Sequence, residues 1–168
     1  MSRLDALWYT GPETTVRELV HALKYRFAPK VAEWAGTLLA GLLDGVGSAP
    51  DLVVPIPLHR SRFVERGFNQ AELLAEGVSR ATGLPVLQAL VRQLPGESQT
   101  SRSRVGRRAL PEETFLVQTD IRDRRILLVD DVVTTGSTLN AAAEVLLAGG
   151  ASEVHGLAMA VSRRPGAP

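Results

Sequence analysis

The sequence contains no cysteine and few aromatic residues, and both absences exclude kinds of site. Without cysteine there is no disulfide, no thiolate metal ligand and no cysteine nucleophile. Three scattered histidines do not form the ligand pattern of a structural zinc site, so we predict a protein without zinc. Aromatic residues make up only 5% of the chain, which argues against a pocket that stacks a purine base.

Long hydrophobic runs and blocks of like charge are also missing. The longest apolar segments, LVVPIPL and ILLV, are far shorter than the roughly 20 residues of a membrane helix. The first residues, MSRLDALWYTG, lack the apolar segment of a signal peptide, so we expect a cytoplasmic protein without membrane insertion. The formal net charge of +1 by itself indicates no partner.

The sequence does contain alternating helical and strand patterns, and its 168 residues suit a single domain. Apolar residues at helical spacing predict two opening helices separated at Pro29, and we expect residues 1–47 to form a small helical hood. The α/β core over residues 48–168 has predicted strands at 51–56, 85–91, 114–117, 125–129 and 153–161, and helices at 68–82 and 137–147. This alternation predicts an α/β fold with a doubly wound, mainly parallel sheet.

A long segment within the core, at about residues 93–113, has no apolar period. Loops of this length in a compact domain are usually functional or disordered. The segment carries four clustered arginines, Arg102, Arg104, Arg107 and Arg108. They are consistent with a mobile loop that closes over an anionic ligand, with contacts to nucleic-acid phosphates, and with a disordered loop whose arginines serve solubility.

The segment ILLVDDVVTTGSTL, residues 126–139, has the pattern of a ligand site. Asp130 and Asp131 follow an apolar strand, and ligands of open α/β sheets bind beyond the carboxyl ends of the strands. The next residues lead directly into a helix, where main-chain N–H groups, hydroxyls and the helix dipole favour a phosphate. These residues are Thr134, Thr135, Gly136, Ser137 and Thr138.

The two aspartates need a partner other than the phosphate, because carboxylates repel it. They suit vicinal sugar hydroxyls, or a Mg²⁺ ion organised through water. The segment is neither a Walker A loop nor a G-x-G-x-x-G turn. Taken separately, its halves are also explained as solvated strand-end residues and a helix N-cap. Together they indicate a site for a sugar phosphate with free hydroxyls.

The same segment resembles the phosphoribosyl pyrophosphate (PRPP) signature of type I phosphoribosyltransferases. That resemblance implies that Asp130 and Asp131 bind the ribose hydroxyls and that residues 134–138 bind the 5-phosphate. Residues 53–75, VVPIPLHRSRFVERGFNQAELLA, are similar to the ComF (competence protein F) family, which includes GntX-like proteins. The segments ALKYRF and QTSRSRVGRRALPEETF fit the same family, which implies a type I phosphoribosyltransferase core and a mobile catalytic loop that carries the four clustered arginines.

Basic residues after the first core strand are assigned to the pyrophosphate side of the site. They are His59, Arg60, Arg62 and Arg66. Together with Mg²⁺, arginines stabilise an anionic leaving group electrostatically. Surface solvation explains any single one of these arginines equally well, and a local loop role explains His59. Lys24, on the first helix, is a candidate contact for a phosphate or for DNA.

The sequence departs from the family pattern in two respects. Many ComF proteins carry an N-terminal four-cysteine zinc module, and no cysteine is present here. Arg102 and Leu110 stand where the family loop usually has leucine and asparagine. The resemblance therefore supports PRPP binding more firmly than phosphoribosyl transfer.

The function implied by the ComF resemblance is that of a protein that binds PRPP and Mg²⁺ and acts in natural transformation. It would help single-stranded DNA enter the cytoplasm together with a helicase, and an oligomer is compatible with the sheet edges or the hood. Alternatives are an active phosphoribosyltransferase of nucleotide metabolism and a PRPP-sensing regulator. Base-dependent release of pyrophosphate would favour the enzyme, whereas salt-sensitive binding of single-stranded DNA would favour the role in DNA uptake.

Overall fold

The computed structural model describes residues 1–10, 15–25, 29–45, 48–93 and 114–162. Its strands are Arg3–Thr10 (β1), Leu52–Pro55 (β2), Leu90–Gln93 (β3), Thr114–Val117 (β4), Arg125–Val133 (β5) and Glu153–Ser162 (β6). Its helices are Thr15–Tyr25 (α1), Pro29–Ala40 (α2), Arg60–Arg66 (α3), Gln70–Thr82 (α4) and Ser137–Ala148 (α5), with a 3-10 turn at Gly41–Gly45. None of the helices in these described ranges is long and apolar enough to cross a membrane.

Four strands form a parallel sheet in the order β1, β6, β5, β2. The β5–β6 pairing is long and runs from Arg125 opposite Glu153 to Val133 opposite Val161. The β2–β5 pairing is short and ends at Pro55 opposite Val129. A separate antiparallel hairpin consists of β3 and β4. The predicted α/β class with a mainly parallel sheet is therefore confirmed.

Both faces of the sheet are covered, because successive side chains of a strand point to opposite faces. Ile126 and Leu128 of β5 belong to a buried cluster with α5 and the β3–β4 hairpin. Leu127 and Val129 belong to a second buried cluster with α1, α2 and α4. The central strand is thus buried on both sides, as the predicted doubly wound arrangement requires.

Helix α4 is held against α2 by a close contact of two glycines. A Cβ atom placed on Gly36 would lie 2.6 Å from the Cα atom of Gly77, so the two helix backbones touch at this point. Side chains of α4, including Leu74 and Val78, pack at the same time into the second cluster. This packing fixes the N-terminus of α4, which lies near the end of β2.

The structure corrects several predicted boundaries. The two opening helices are confirmed, but β1 precedes them and forms an edge of the core sheet, which the sequence analysis missed. The predicted strand at 85–91 reduces to a single bridge between Val86 and Val53, and β3 begins only at Leu90. The predicted helix at 68–82 begins at Gln70, and the short helix α3 was not predicted. The strand predicted at 125–129 continues to Val133 as β5.

Candidate functional site

The two aspartates lie where the neighbours of β5 differ in length. Asp130 is still paired with Ala158 of β6, whereas β2 stops one residue earlier in register, opposite Val129. The prediction that the aspartates follow the strand was therefore wrong on the β6 side, because the long β5–β6 ladder carries them within β5. On the β2 side they extend beyond the last paired residue.

Both carboxylates are half-buried and are oriented by the backbone of β5. The main-chain N–H of Asp131 donates to Oδ1 of Asp130 at 2.8 Å, and the N–H of Val132 donates to Oδ1 of Asp131 at 2.7 Å. A carboxylate has about four acceptor positions. The chain itself therefore sets the orientation of two acceptors at this end of the sheet.

The phosphate loop, which we define as residues 134–138, connects β5 to α5. Gly136 has a φ of 80°, in the left-handed region that favours glycine, and it is the residue that precedes α5. The hydroxyls of Thr135 and Ser137 lie 2.9 Å apart, and the N–H of Ser137 donates to Oγ1 of Thr135 at 3.3 Å. The N-cap residue, Gly136, has no side chain with which to cap α5. Main-chain donors at a helix N-terminus are a favourable environment for an anion.

One shallow concave surface brings the phosphate loop and an aspartate together. It is lined by Asp130, Val132, Val133, Thr134, Gly136, Ser137, Thr138 and Leu139. Asp131 and Thr135, which the sequence analysis also placed in the site, are not part of this lining. Because side chains alternate along a strand, Asp131 is expected on the face of β5 opposite to Asp130.

Three of the four predicted pyrophosphate-side residues lie on the short helix α3. His59 precedes the helix, and its Nδ1 accepts the N–H of Ser61 at 3.3 Å, so it serves as the local N-cap. Arg60 and Arg62 are exposed, whereas Arg66 is half-buried and donates to Oε1 of Gln70 at 3.1 Å. The local role that the sequence left open for His59 is therefore observed.

Asn69 is a buried polar residue that the sequence analysis did not select. Its Nδ2 donates to the carbonyl of Ile56 at 3.0 Å, while its Oδ1 accepts the N–H of Ala71 at 3.1 Å and caps α4. The N–H of Ile56 in turn donates to the carbonyl of Val129, next to Asp130, at 2.9 Å. Asn69 thus ties α4 to the exit of β2. Its signal in the sequence was the spacing of Asn69 and Glu72, which is similar to a capping box.

Other predicted site residues lie outside what the structure describes. Arg102, Arg104, Arg107 and Arg108 belong to the undescribed residues 94–113. Lys24 lies in α1, but its side chain is outside the description. Their predicted roles therefore stay predictions.

Asp130 is the lining residue of this site that could contact Mg²⁺. In the described ranges no three His, Asp or Glu side chains come together as a metal-binding group. Mg²⁺ usually keeps several waters and binds through one or two carboxylates together with substrate phosphates. Asp130 fits that mode of binding, in which the ligand and water provide most of the coordination.

Comparison with known proteins places the chain in one family. The model of the phosphoribosyl transferase domain matches residues 66–167. The chain is 37% identical over 117 residues to competence protein F of Haemophilus influenzae, which covers 66% of this chain and 51% of that protein. It is 33% identical over 145 residues to the DNA utilization protein YhgH of Escherichia coli O157:H7, which covers 82% of this chain and 63% of that protein. This chain thus spans between half and two thirds of the length of these two relatives.

Solved structures agree with this fold at low sequence identity. A glutamine PRPP amidotransferase from B. subtilis aligns with a TM-score of 0.55 at 19% identity, over 83% of this chain and 30% of that one. A phosphoribosyltransferase from Corynebacterium diphtheriae aligns with a TM-score of 0.50 at 21% identity, over 90% and 84%. With the type I phosphoribosyltransferase fold confirmed, the family model and the curated relatives show that the chain belongs to the phosphoribosyl transferase domain family, within its ComF-like group.

Proposed function

We propose that this protein binds PRPP together with Mg²⁺ at the carboxyl end of β5 and acts in the uptake or use of single-stranded DNA. The observation that carries the binding proposal is the concave surface shared by Asp130 and the phosphate loop. It combines hydroxyl-accepting carboxylate oxygens with main-chain donors suited to a phosphate. A ribose 5-phosphate group presents both kinds of partner.

The chain holds the two parts of this site in place before a ligand arrives. Backbone N–H groups orient the carboxylates of Asp130 and Asp131, and the left-handed Gly136 sets the turn into α5. A preorganised site loses less conformational entropy when it binds. The carboxylate of Asp130 would then accept hydrogen bonds from the ribose hydroxyls, and the phosphate loop would donate main-chain hydrogen bonds to the 5-phosphate.

The pyrophosphate of PRPP would extend toward the exit of β2 and the start of α3. The hydrogen bond between Ile56 and Val129 joins this segment to β5 just before Asp130. His59, Arg60, Arg62 and Arg66 lie along this segment, and the three arginines supply positive charge. A bound Mg²⁺ would neutralise part of the pyrophosphate charge.

The proposed role in DNA uptake is supported by the names of the relatives. One is a competence protein and another a DNA utilization protein, and both are more than 30% identical to this chain. Single-stranded DNA and a helicase are the partners that the ComF resemblance implies. The matched regions cover only 51% and 63% of these two relatives. Binding of both partners is therefore proposed for this chain.

Calorimetric titration of PRPP with Mg²⁺ tests the binding proposal. We expect the double variant Asp130→Asn, Asp131→Asn to bind about 100-fold more weakly or not at all, because it loses charge-assisted hydrogen bonds to the hydroxyls. Asp120→Asn, Asp123→Asn is a charge-matched control, since both residues are exposed and precede β5 at its other end. Equal affinity of the two double variants would refute the assigned site.

Transformation frequency tests the biological role. In the source organism, deletion of the gene should lower uptake of a selectable marker, and the unaltered gene should restore it. Restoration by the control variant but not by the Asp130, Asp131 variant would tie the role to PRPP binding. Unchanged transformation in the deletion strain would contradict the role while leaving the binding result intact.

A further inference from the structure

A second concavity, here called the side cavity, lies against Pro57 and Leu58, which follow β2. Its volume is about 460 Å³, within the range typical of small-ligand sites. It is lined by Pro57, Leu58, Arg60, Phe63, Asn69, Glu72, Gln88, Leu90, Val91 and Arg92. None of these residues lines the concave surface around Asp130, so the two are separate concavities.

The apolar part of the side cavity contains large side chains that remain accessible. Phe63 of α3 is 47% exposed and Val91 of β3 is 40% exposed, although both line a concave surface. Pro57, Leu58 and Leu90 complete the apolar wall. An accessible aromatic ring in such a wall favours a flat apolar ligand that can stack on it.

The charged part of the side cavity is positive. Arg60 and Arg92 contribute two guanidinium groups, and Glu72 contributes one carboxylate. Glu72 accepts a hydrogen bond from Nδ2 of Asn69 at 3.2 Å, which holds this carboxylate at the N-terminus of α4. The guanidinium of Arg92 lies 5.6 Å from the ring centre of Phe115, which supports its position at the wall. The formal charge of the lining residues is +1 and suits one phosphate group.

We propose that the side cavity binds one nucleotide, with its base against Phe63 and its phosphate near Arg60 and Arg92. The same chemistry is offered by a free nucleotide and by a nucleotide unit of single-stranded DNA. The DNA source rests on the proposed function, since only that function brings single-stranded DNA to the protein. Stacking on an aromatic side chain is a sequence-tolerant way to hold single-stranded DNA.

The position of the side cavity connects this site to the proposed PRPP site. Pro57 and Leu58 line the side cavity and directly follow Ile56. The N–H of Ile56 donates to the carbonyl of Val129, the residue before Asp130. Arg60 lies at the start of α3, within the segment proposed to face the pyrophosphate. A nucleotide in the side cavity would therefore lie against the segment that faces bound PRPP.

Fluorescence anisotropy with a labelled deoxythymidine decamer tests the proposal. We expect Phe63→Ala to bind the decamer about 10-fold more weakly than the wild type, because it loses one stacking contact. Val64→Ala is the matched control, since Val64 is the next residue on α3, is 77% exposed and does not line the cavity. Equal affinities of the two variants, or no binding by the wild type, would overturn the proposal.

A second pair of variants tests the charge of the side cavity without removing an aromatic ring. Val91→Glu adds a negative charge to the wall and should weaken binding strongly at low salt. Leu38→Glu adds the same charge to α2, where Leu38 is 38% exposed and outside the cavity lining, so it should bind nearly as the wild type does. Similar loss in both glutamate variants would contradict a site at this place.

Competition identifies the source of the nucleotide and separates this proposal from PRPP binding. Displacement of the decamer by thymidine monophosphate would indicate a site for free nucleotides, whereas displacement only by unlabelled decamer would indicate DNA. Displacement by an acidic peptide of equal charge would overturn nucleotide recognition. PRPP titration of Phe63→Ala should match the wild type. Decamer binding that depends on Phe63 in a protein that fails to bind PRPP would retain the side cavity and refute the PRPP site.

Discussion

The phosphate loop and helix α3 are both assigned to phosphates, yet they differ in how they would hold them. The phosphate loop depends on main-chain geometry, with Gly136 at positive φ and a helix beginning at the next residue. Helix α3 instead presents flexible side chains, among them the exposed Arg60 and Arg62. A preorganised backbone gives a geometry that few substitutions preserve, whereas exposed arginines provide charge that neighbours can replace.

Among the variants that compare these two regions, substitution at Gly136 should have the largest effect on PRPP affinity. Gly136→Ala places a Cβ on a residue with φ of 80°, and we expect PRPP affinity to fall about tenfold as the loop shifts and loses a hydrogen bond to the phosphate. Gly83→Ala has nearly the same φ, 77°, but lies at the end of α4. Both variants should lose about 1 kcal/mol of stability in chemical denaturation, because both adopt the left-handed region.

The affinity difference between these two glycine variants is the decisive comparison. Unaltered PRPP affinity in Gly136→Ala would show that the phosphate loop is not the binding element. An equal fall in affinity in Gly83→Ala would trace the effect to general instability.

Asn69 follows α3 in the chain and donates to the carbonyl of Ile56, whose N–H donates to the carbonyl of Val129 in β5. Its variants should have the next largest effect on PRPP affinity. Asn69→Ala loses both the α4 cap and the bond to the carbonyl of Ile56, and we expect the free energy of unfolding to fall by about 2 kcal/mol. Asn69→Ser keeps a cap acceptor and should lose about 1 kcal/mol. Both variants should weaken PRPP binding several-fold, because each releases the exit of β2.

Denaturation and calorimetry on the two Asn69 variants separate these roles. Equal stability of the serine and alanine variants would exclude a contribution from the cap. If both variants bind PRPP with wild-type affinity, the bond to Ile56 does not position the segment after β2 that is proposed to face the pyrophosphate.

The exposed arginines of α3 should show a smaller and salt-dependent effect. Arg60→Gln, Arg62→Gln should weaken PRPP binding about fivefold at low ionic strength, because exposed charges contribute little each. The difference from the wild type should shrink at higher salt as screening increases. Calorimetry at two salt concentrations measures this. A deficit that does not change with salt would indicate specific contacts rather than general charge.

The smallest effect on binding is expected at Asp51, which lies at the other end of the sheet. Hydrogen bonds from Arg125 lower the pKa of Asp51 from 3.8 to about 2. This pair therefore stabilises the fold fully above about pH 4, and its contribution is lost as the pH falls toward 2. As the pH is lowered from about 4 to about 2, the free energy of unfolding should fall less in Asp51→Asn than in the wild type. The PRPP affinity of the variant at pH 7 should equal that of the wild type. A steeper acid dependence in the variant would contradict the ion pair.

The sequence predicted well the elements whose pattern is local. The apolar run before Asp130 predicted the start of β5 at Arg125, and the helical pattern after the small hydroxyl residues predicted the start of α5 at Ser137. The predicted end of the helix at residue 82 is also confirmed, because α4 ends at Thr82 and Gly83 forms its C-cap. In each case the signal lies within a few residues of the feature.

Features that depend on distant pairing were not predictable in this way. The extension of β5 through Asp130 requires the long ladder with β6, and β1 becomes a strand because it pairs with the same β6. Helix α3 has seven residues and none of them is buried, so it shows no apolar period to recognise. The side cavity joins residues from 57 to 92 that only the fold brings together.

The most direct test of the account is a crystal structure of the protein grown with PRPP and Mg²⁺. We predict that the 5-phosphate lies within hydrogen-bonding distance of main-chain N–H groups in residues 134–138, and that the ribose hydroxyls reach Asp130 or Asp131. The pyrophosphate is predicted to point toward α3. PRPP bound elsewhere, or with its 5-phosphate away from the N-terminus of α5, would contradict the proposed site.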